Sequence, residues 1–295
     1  LCCPSRTSAL RGQFAHNTGI YTNGPPDGGF QSVYSTGLEQ STMATWLQSA
    51  GYRTALIGKY LNGYPETAPS RTYRGDSAWT YELGTKFTSA DRKIYLAGGT
   101  LDRSAAGGLL VFDPQRNEWR TGAEKPTPLR LAAGAVFSDV IYLPGGTDAN
   151  GAPTARFEAY DTSAQTWATL PALPRAMSGH VVAALDNRIY VFGGRTSNEN
   201  FNTEGYVFDL GAQRWSRVPA MPTARSQAAA VAVQGRIYVI GGTDGQREYN
   251  TCEYFDAGRA RWSSCRPMSI ARGGLGLAQV GANLYAIGGG VTSNY

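Results

Sequence analysis

Ile189-Tyr190-Val191-Phe192-Gly193-Gly194 is the stretch on which the reading of this chain turns. Four consecutive apolar or aromatic residues run into a pair of glycines. Such a run suits a short strand buried on both faces. The glycines that end it mark a backbone needing φ > 0 or a close approach. The pattern recurs as Ile94-Tyr95-Leu96-Ala97-Gly98-Gly99, Ile141-Tyr142-Leu143-Pro144-Gly145-Gly146, Ile237-Tyr238-Val239-Ile240-Gly241-Gly242 and Leu284-Tyr285-Ala286-Ile287-Gly288-Gly289. The first glycines fall 47, 48, 48 and 47 residues apart. Trp119, Trp167, Trp215 and Trp262 follow the first four pairs, and Asp113, Asp161, Asp209 and Asp256 each precede one of them by six residues. Three features sharing one period make a repeat, which outranks any local reading.

Each unit reads as four short strands. In the third, His180 to Leu185 forms the first strand, and a tight turn at Asp186-Asn187 leads into Ile189 to Phe192. Tyr206 to Phe208 is the next strand, and a turn over Asp209 to Gln213 reverses the chain into a fourth at Trp215. A lone four-stranded sheet leaves apolar surface bare. Packing against its neighbours buries it, which implies blades around an axis.

These residues resemble the kelch family of β-propellers over about 86–295, through the diglycines, the aromatic-Asp strand ends and the tryptophans. The resemblance also implies an arginine shortly before each first strand. Arg130, Arg225 and Arg272 fit, while Met177 stands in the remaining place. The fold class expected is all-β: a kelch-type propeller of about four to five four-stranded blades. The first unit shows no obvious opening strand, and the last reaches Tyr295 without its tryptophan strand. The ring is therefore expected to be incomplete or to close in an unusual way. The repeated glycines, tryptophans and aspartates build blades, so recognition belongs to the variable loops: Arg195 to Glu204, Thr147 to Ala155 and Thr100 to Gly107.

Composition agrees. The chain has 295 residues, 42% hydrophobic and only 17% charged, with 37 glycines and 15 prolines, a balance that excludes a helical bundle or coiled coil. No run of 18 apolar residues exists, so no membrane span is expected. Lys and Arg total 27 against 22 Asp and Glu, and the net +5 is spread as isolated arginines, which argues against nucleic acid. Two histidines, His16 and His180, exclude a multi-histidine metal site, and four cysteines without a CxxC pair exclude a zinc finger.

Residues 1–65 share nothing with the repeat. Met43, Trp46, Leu47 and Ala50 line one helix face, Ser41 or Thr42 can cap its start, and Gly51 can end it. Thr54 to Ile57 then reads as a buried strand with Lys59 just past its carboxyl end, the edge where ligands bind in α/β sheets. Cys2-Cys3-Pro4-Ser5-Arg6, Gly12 to Gly19 and Gly58-Lys59-Tyr60-Leu61-Asn62 resemble type I sulfatases, with Arg11 where that family usually has threonine. The resemblance implies a small α/β fragment in which Cys2 is oxidised to formylglycine. A hydroxyl of its hydrate attacks sulfur, and the other expels sulfate by regenerating the aldehyde. It further implies that Arg6 steadies the hydrate, that Lys59 neutralises sulfate, and that His16 is a weaker candidate. Pro4 suits a first helical turn, placing Cys2 at its positive end. The family's calcium would be the cofactor of a complete sulfatase part, but its upstream acidic pair would precede Leu1 and its downstream Asp-Asn pair has no counterpart. No cofactor is expected for the propeller.

Residues 66–85, with Pro65 and Pro69 at their start, read as a linker between the fragment (1–65) and the propeller (86–295). Cys252 and Cys265 lie symmetrically about Gly258-Arg259 and face each other if a hairpin centres there, compatible with a disulfide, the alternative being two buried thiols. Four functional readings stay open. The first is a module binding a protein or glycan through blade loops. The second is a sulfuric ester hydrolase working through Cys2. The third is a propeller enzyme such as a sugar-acid epimerase or copper oxidase, and the fourth a hybrid without joint function. The sulfatase resemblance favours an extracellular or periplasmic location.

Overall fold

The structure, a computed structural model, describes residues 85–290 apart from 89–92, 99, 102–103, 106 and 198–199. They belong to the second of the chain's two units, Glu82–Tyr295. Within them the chain forms strands and turns and no helix. Strands β1 (Thr85–Thr88), β2 (Ile94–Ala97), the short hairpin β3 (Thr100–Leu101) and β4 (Ser104–Ala105), β5 (Leu109–Asp113) and β6 (Glu118–Thr121) build the first blade, in the order β1-β2-β5-β6 with the small hairpin as a sheet of its own. Blade 2 holds β7 (Ala135–Phe137), β8 (Val140–Pro144), β9 (Phe157–Asp161) and β10 (Thr166–Leu170). Blade 3 holds β11 (Val181–Leu185), β12 (Arg188–Phe192), β13 (Gly205–Asp209) and β14 (Arg214–Val218). Blade 4 holds β15 (Ala229–Val233), β16 (Arg236–Ile240), β17 (Cys252–Asp256) and β18 (Arg261–Cys265). The fifth sheet is a hairpin of two longer strands, β19 (Gly273–Val280) and β20 (Asn283–Gly290).

One expectation needs correcting. The first unit does have an opening strand, β1, with Thr85 opposite Ala97 and Thr88 opposite Ile94. Thr-Lys-Phe-Thr lacks the apolar alternation of His180 to Leu185, so the sequence pattern did not announce it. The helix expected over Met43 to Ala50 and the strand over Thr54 to Ile57 lie outside the described residues.

The tight turns follow from residue chemistry. Asp186 and Asn187 both adopt positive φ (50° and 59°), as a two-residue hairpin requires. At the outer hairpins the repeated aspartates cap the turn: Asp209 Oδ1 accepts from the Gly211 and Ala212 N–H groups at 3.0 and 2.9 Å.

The first strands of successive blades lie side by side, β1 against β7, β7 against β11, β11 against β15 and β15 against β19. Three connections recur at the seams, all three together between blades 2 and 3 and between blades 3 and 4. Innermost, a residue with left-handed φ in each linker passes a hydrogen bond to the next: Gly179 N–H donates to Leu131 O (3.0 Å), Gln227 N–H to Gly179 O (2.8 Å) and Gly274 N–H to Gln227 O (2.8 Å). Next come the diglycines, whose second N–H donates across the seam: Gly146 to Met177 O, Gly194 to Arg225 O and Gly242 to Arg272 O, at 2.8–2.9 Å. Outermost, each indole N–H reaches the strand exit of the preceding blade: Trp167 to Ala123 O, Trp215 to Pro171 O and Trp262 to Pro219 O, at 2.7–2.9 Å. Between these lie apolar clusters shared by neighbouring blades. In one, Tyr190 and Phe192 of blade 3 meet Ile237, Val239 and Phe255 of blade 4, and the Phe192 and Trp262 rings stand edge to face at 4.8 Å.

The diglycines show why this contact tolerates no side chain. A Cβ on Gly193 (φ +69°) would lie 2.9 Å from Arg225 O in the linker entering blade 4, and one on Gly194 (φ +84°) would lie 2.6 Å from Ser178 O and 2.7 Å from His180 N in the linker entering its own blade. A Cβ on Gly281 (φ +59°), in the β19–β20 turn, would meet nothing within 4 Å. Gly281→Ala therefore loses about 1 kcal/mol, the left-handed penalty alone. Gly194→Ala adds the clash and loses roughly 3–4 kcal/mol. Denaturant titration of the two variants measures that difference.

Candidate functional site

Each blade has two ends. One carries the tight turns, where Leu210 N–H bonds to Asn187 O (3.2 Å). The other carries the loops that follow the diglycines, and there the repeats diverge. The base of these loops is uniform: Thr147, Arg195 and Thr243 each bridge, through backbone, to the linker before their own blade (Arg130, Ser178 and Ser226) and to the returning loop (Pro153, Phe201 and Glu248). The tips differ. In blade 2, Asp148 Oδ1 accepts from the Asn150 and Ala152 N–H groups, both at 2.9 Å. In blade 4, Asp244 accepts from the Gln246 and Arg247 N–H groups and from the Tyr249 hydroxyl (2.7 Å), and these donors hold its carboxyl down at about 2. Arg247 lies over the Tyr249 ring at 5.2 Å. The Phe201 ring approaches Gly245 so closely that a Cβ there would stand 3.0 Å away, so the loops of blades 3 and 4 touch. The blade 4 loop adds to the three variable loops named from the sequence, and Asp244-Gly245-Gln246-Arg247 signals its turn.

Beneath the loops lie two buried ion pairs. Lys125 meets Glu158, which also accepts from the Thr127 hydroxyl at 2.7 Å. Arg225 meets Glu253, which accepts from Thr223 at 2.7 Å, while the Arg225 guanidinium also bonds Gly241 O at 3.0 Å and Thr251. Burial pulls both Lys125 and Arg225 below their ordinary pKa, against the opposing pull of their carboxylate partners. Blade 3 replaces this arrangement: Met177 stands where Arg225 stands, Tyr206 stands where Glu253 stands, and both are fully buried. Between blades 3 and 4 both positions change, charge with charge and apolar with aromatic, whereas blade 2 keeps the carboxylate, Glu158, takes its cation from Lys125, and has Leu129 where Arg225 stands, since Arg130 aligns with Ser178 and Ser226 at the loop base. Arg225→Met alone leaves Glu253 buried without its cation and loses about 3–5 kcal/mol. Adding Glu253→Tyr recreates the blade 3 pair and recovers more than half of that, read as a double-mutant cycle in urea.

His180 occupies the seam between blades 2 and 3. Its Nε2–H donates to Pro144 O at 2.7 Å, and Nδ1 has no partner among the described residues. Complete burial pushes its pKa from 6.5 down to about 4, against the pull of the Pro144 carbonyl. The unfolded chain therefore takes up a proton that the native state refuses. Stability is full above about pH 6.5 and falls as pH drops towards 4, by up to roughly 3 kcal/mol. His180→Gln retains an N–H donor without the titration, so urea midpoints between pH 7 and pH 4 decline less steeply for it.

Cys252 and Cys265 face each other in β17 and β18, with Cα atoms 5.1 Å apart, and are joined by a disulfide. Of the repeat residues, Gly98, Gly145, Gly193, Gly241 and Gly288 all have φ near +70°, and Gly146, Gly194, Gly242 and Gly289 are also left-handed. Gly99 lies outside the described residues, as do Cys2, Arg6, His16 and Lys59. Among the described residues no three His, Cys, Asp or Glu side chains gather as a metal site would require, and no helix is long and apolar enough to cross a membrane.

Residues 84–290 match the family described as the KLHDC2/KLHL20/DRC7 Kelch-repeats domain. The chain belongs to the kelch-repeat family. Residues 1–105 match the family described as Sulfatase. An arylsulfatase of Chlamydomonas reinhardtii is 47% identical over 64 residues, 22% of this chain and 10% of that protein. A putative F-box/kelch-repeat protein of Arabidopsis thaliana is 37% identical over 79 residues, 27% of this chain and 21% of that protein. The kelch-repeat chain thus spans only about a tenth to a fifth of the length of these curated relatives. A solved structure titled "Structure of YjhT" superposes with a TM-score of 0.58 at 20% identity, covering 67% of this chain and 70% of that one, and shows the same fold.

Proposed function

We propose that this chain is a binding scaffold whose propeller holds a protein or glycan ligand on the loops following the diglycines, and that the sulfatase-like stretch, about 1–65 before a 66–85 linker, is catalytically silent. The observation that carries this reading is the division of labour within each repeat. Diglycines, linker residues and tryptophans are committed to the seams, whereas the loops share a rigid base and vary only at their tips. A uniform frame with divergent tips is the arrangement on which binding surfaces are built. The Cys252–Cys265 disulfide and the extracellular sulfatase homologues of Caenorhabditis elegans and Drosophila melanogaster support placement in an oxidising, extracellular or periplasmic compartment. A combined peptide and glycan array probed with the full chain tests the binding surface. Retention of a ligand falls at least about tenfold in Arg247→Ala or Asn200→Lys, at the loop tips, and is unchanged in Arg214→Ala, at the opposite end. Equal effects at both ends would overturn the assignment.

A second reading, a sulfuric ester hydrolase, is favoured by Cys2-Cys3-Pro4-Ser5-Arg6. Calcium would be its cofactor and Cys2, Arg6, Lys59 and His16 its site. Hydrolysis of a chromogenic aryl sulfate with added calcium separates the two readings. The scaffold reading expects the same background from the full chain and from Cys2→Ala, and turnover lost in Cys2→Ala would establish the enzyme.

A further inference from the structure

Two arginines at the loop bases carry charge that the fold does not answer. Arg130, in the linker before blade 2, stands opposite Thr147, and Arg195, just past the diglycine of blade 3, stands opposite Ser178. Residues directly opposed in an antiparallel pair put their side chains on one face. Arg130 therefore shares a face with Thr147, and Arg195 shares one with Ser178. Met177, one residue before Ser178, turns the other way and is fully buried. The Arg130 guanidinium reaches under the tip of the blade 2 loop, where a Cβ on Gly151 would stand 3.5 Å from its Nη2. The two bases adjoin: Thr154 bridges to Met177, and Gly146 N–H donates to Met177 O at 2.9 Å.

The Nε of Arg130, the Nε of Arg195 and the Oγ1 of Thr147 are buried without a hydrogen-bond partner among the described residues. Thr147 is 3% exposed and Ser178 1%. Among the described residues neither arginine has a carboxylate partner, whereas Arg225, whose Nε is likewise unbonded, meets Glu253. Buried polar groups are almost always bonded, and a guanidinium only donates, so what completes these bases is an acceptor. Water answers the N–H groups but not the charges. An oxyanion answers both, through charge-assisted hydrogen bonds. Asp148, the acid of the blade 2 loop, is engaged by N–H groups of its own turn. Blade 4 lacks the feature, since Ser226 and Thr243 hold the matching positions and Glu248 stands opposite Thr243.

We propose that Arg130 with Thr147, and Arg195 with Ser178, form two adjoining anion cradles that hold sulfate groups of a sulfated glycan. This rests on the scaffold reading given above and names the ligand it would take. Two cradles on neighbouring blades suit a chain that repeats its anionic group rather than a single small anion. Sulfate is favoured over carboxylate because the same chain carries, over residues 1–105, a stretch matching the sulfatase family.

Fluorescence anisotropy of labelled dextran sulfate with the full chain tests this, with unsulfated dextran and polyglutamate as the other probes. Dextran sulfate is expected to bind at least about tenfold tighter than polyglutamate, and unsulfated dextran not at all. Arg130→Gln and Arg195→Gln are each expected to weaken binding about tenfold, as loss of an anchor does. Arg214→Ala removes the same charge at the opposite end and is expected to change nothing. Arg130→Lys keeps the charge without the forked donors and is expected to weaken binding too. Near-UV circular dichroism checks the packing of each variant, and Arg195→Lys stands in for Arg195→Gln if that one melts early. Equal losses in Arg214→Ala and Arg130→Gln mark attraction by net charge and overturn the cradles. Polyglutamate bound as tightly as dextran sulfate overturns the sulfated ligand in favour of an acidic protein. If no polyanion binds, yet an array ligand is released by Arg247→Ala and kept by Arg130→Gln, the cradles fall while the scaffold reading stands.

Discussion

The close approach of two backbones at each blade seam is the constraint on which the rest depends. The diglycine of one blade and the linker entering the next come near enough that Gly146, Gly194 and Gly242 bond directly to linker carbonyls. A Cβ on the first glycine of each of these pairs (Gly145, Gly193 or Gly241) would stand 2.6–2.9 Å from the same carbonyl, and the left-handed φ is one that glycine alone adopts without strain. Once that distance is fixed, the aromatic rings of the two sheets meet at packing distance and the tryptophan indoles reach carbonyls across the gap. The spacing of the repeat thus follows from a steric fact about two residues in each unit.

Buried charge plays a supporting part. The Arg225–Glu253 and Lys125–Glu158 pairs lie below the loop end, where backbone carbonyls and threonine hydroxyls supply the further hydrogen bonds that isolated buried ions would lack. Blade 3 shows that the fold does not require them, since Met177 and Tyr206 fill the same space without charge. Their chemistry sets how each loop base is held rather than whether the blade forms.

Much of this was legible in the sequence, and for physical reasons. A diglycine after an apolar run is hard to satisfy in any other way, and at a constant period it announces blades. The outer turns were equally readable, because an aspartate six residues before a tryptophan caps the hairpin between them. The opening strand β1 was not, since Thr85 to Thr88 pairs by backbone and carries no alternating pattern. Neither was the choice of Lys125 as the cation beside Glu158: a lysine five residues before Arg130 looks like a surface charge until the fold brings residues 33 apart together. The loop of blade 4 is short, and its character lies in contacts among Asp244, Arg247 and Tyr249 that only the folded chain brings together. The sulfatase-like residues were read by resemblance and lie outside the described part of the chain.

The row of linker hydrogen bonds from Gly274 through Gln227 and Gly179 to Leu131 couples each blade only to those beside it. Energetically the array then behaves as a one-dimensional chain, in which the stability of a unit is its own plus that of the seams it shares. Damage in blade 3 weakens blades 2 and 4 at once, through two shared seams. Cooperativity among the described blades is therefore graded rather than all-or-none, and it is strongest in the middle repeats, which share a seam on either side.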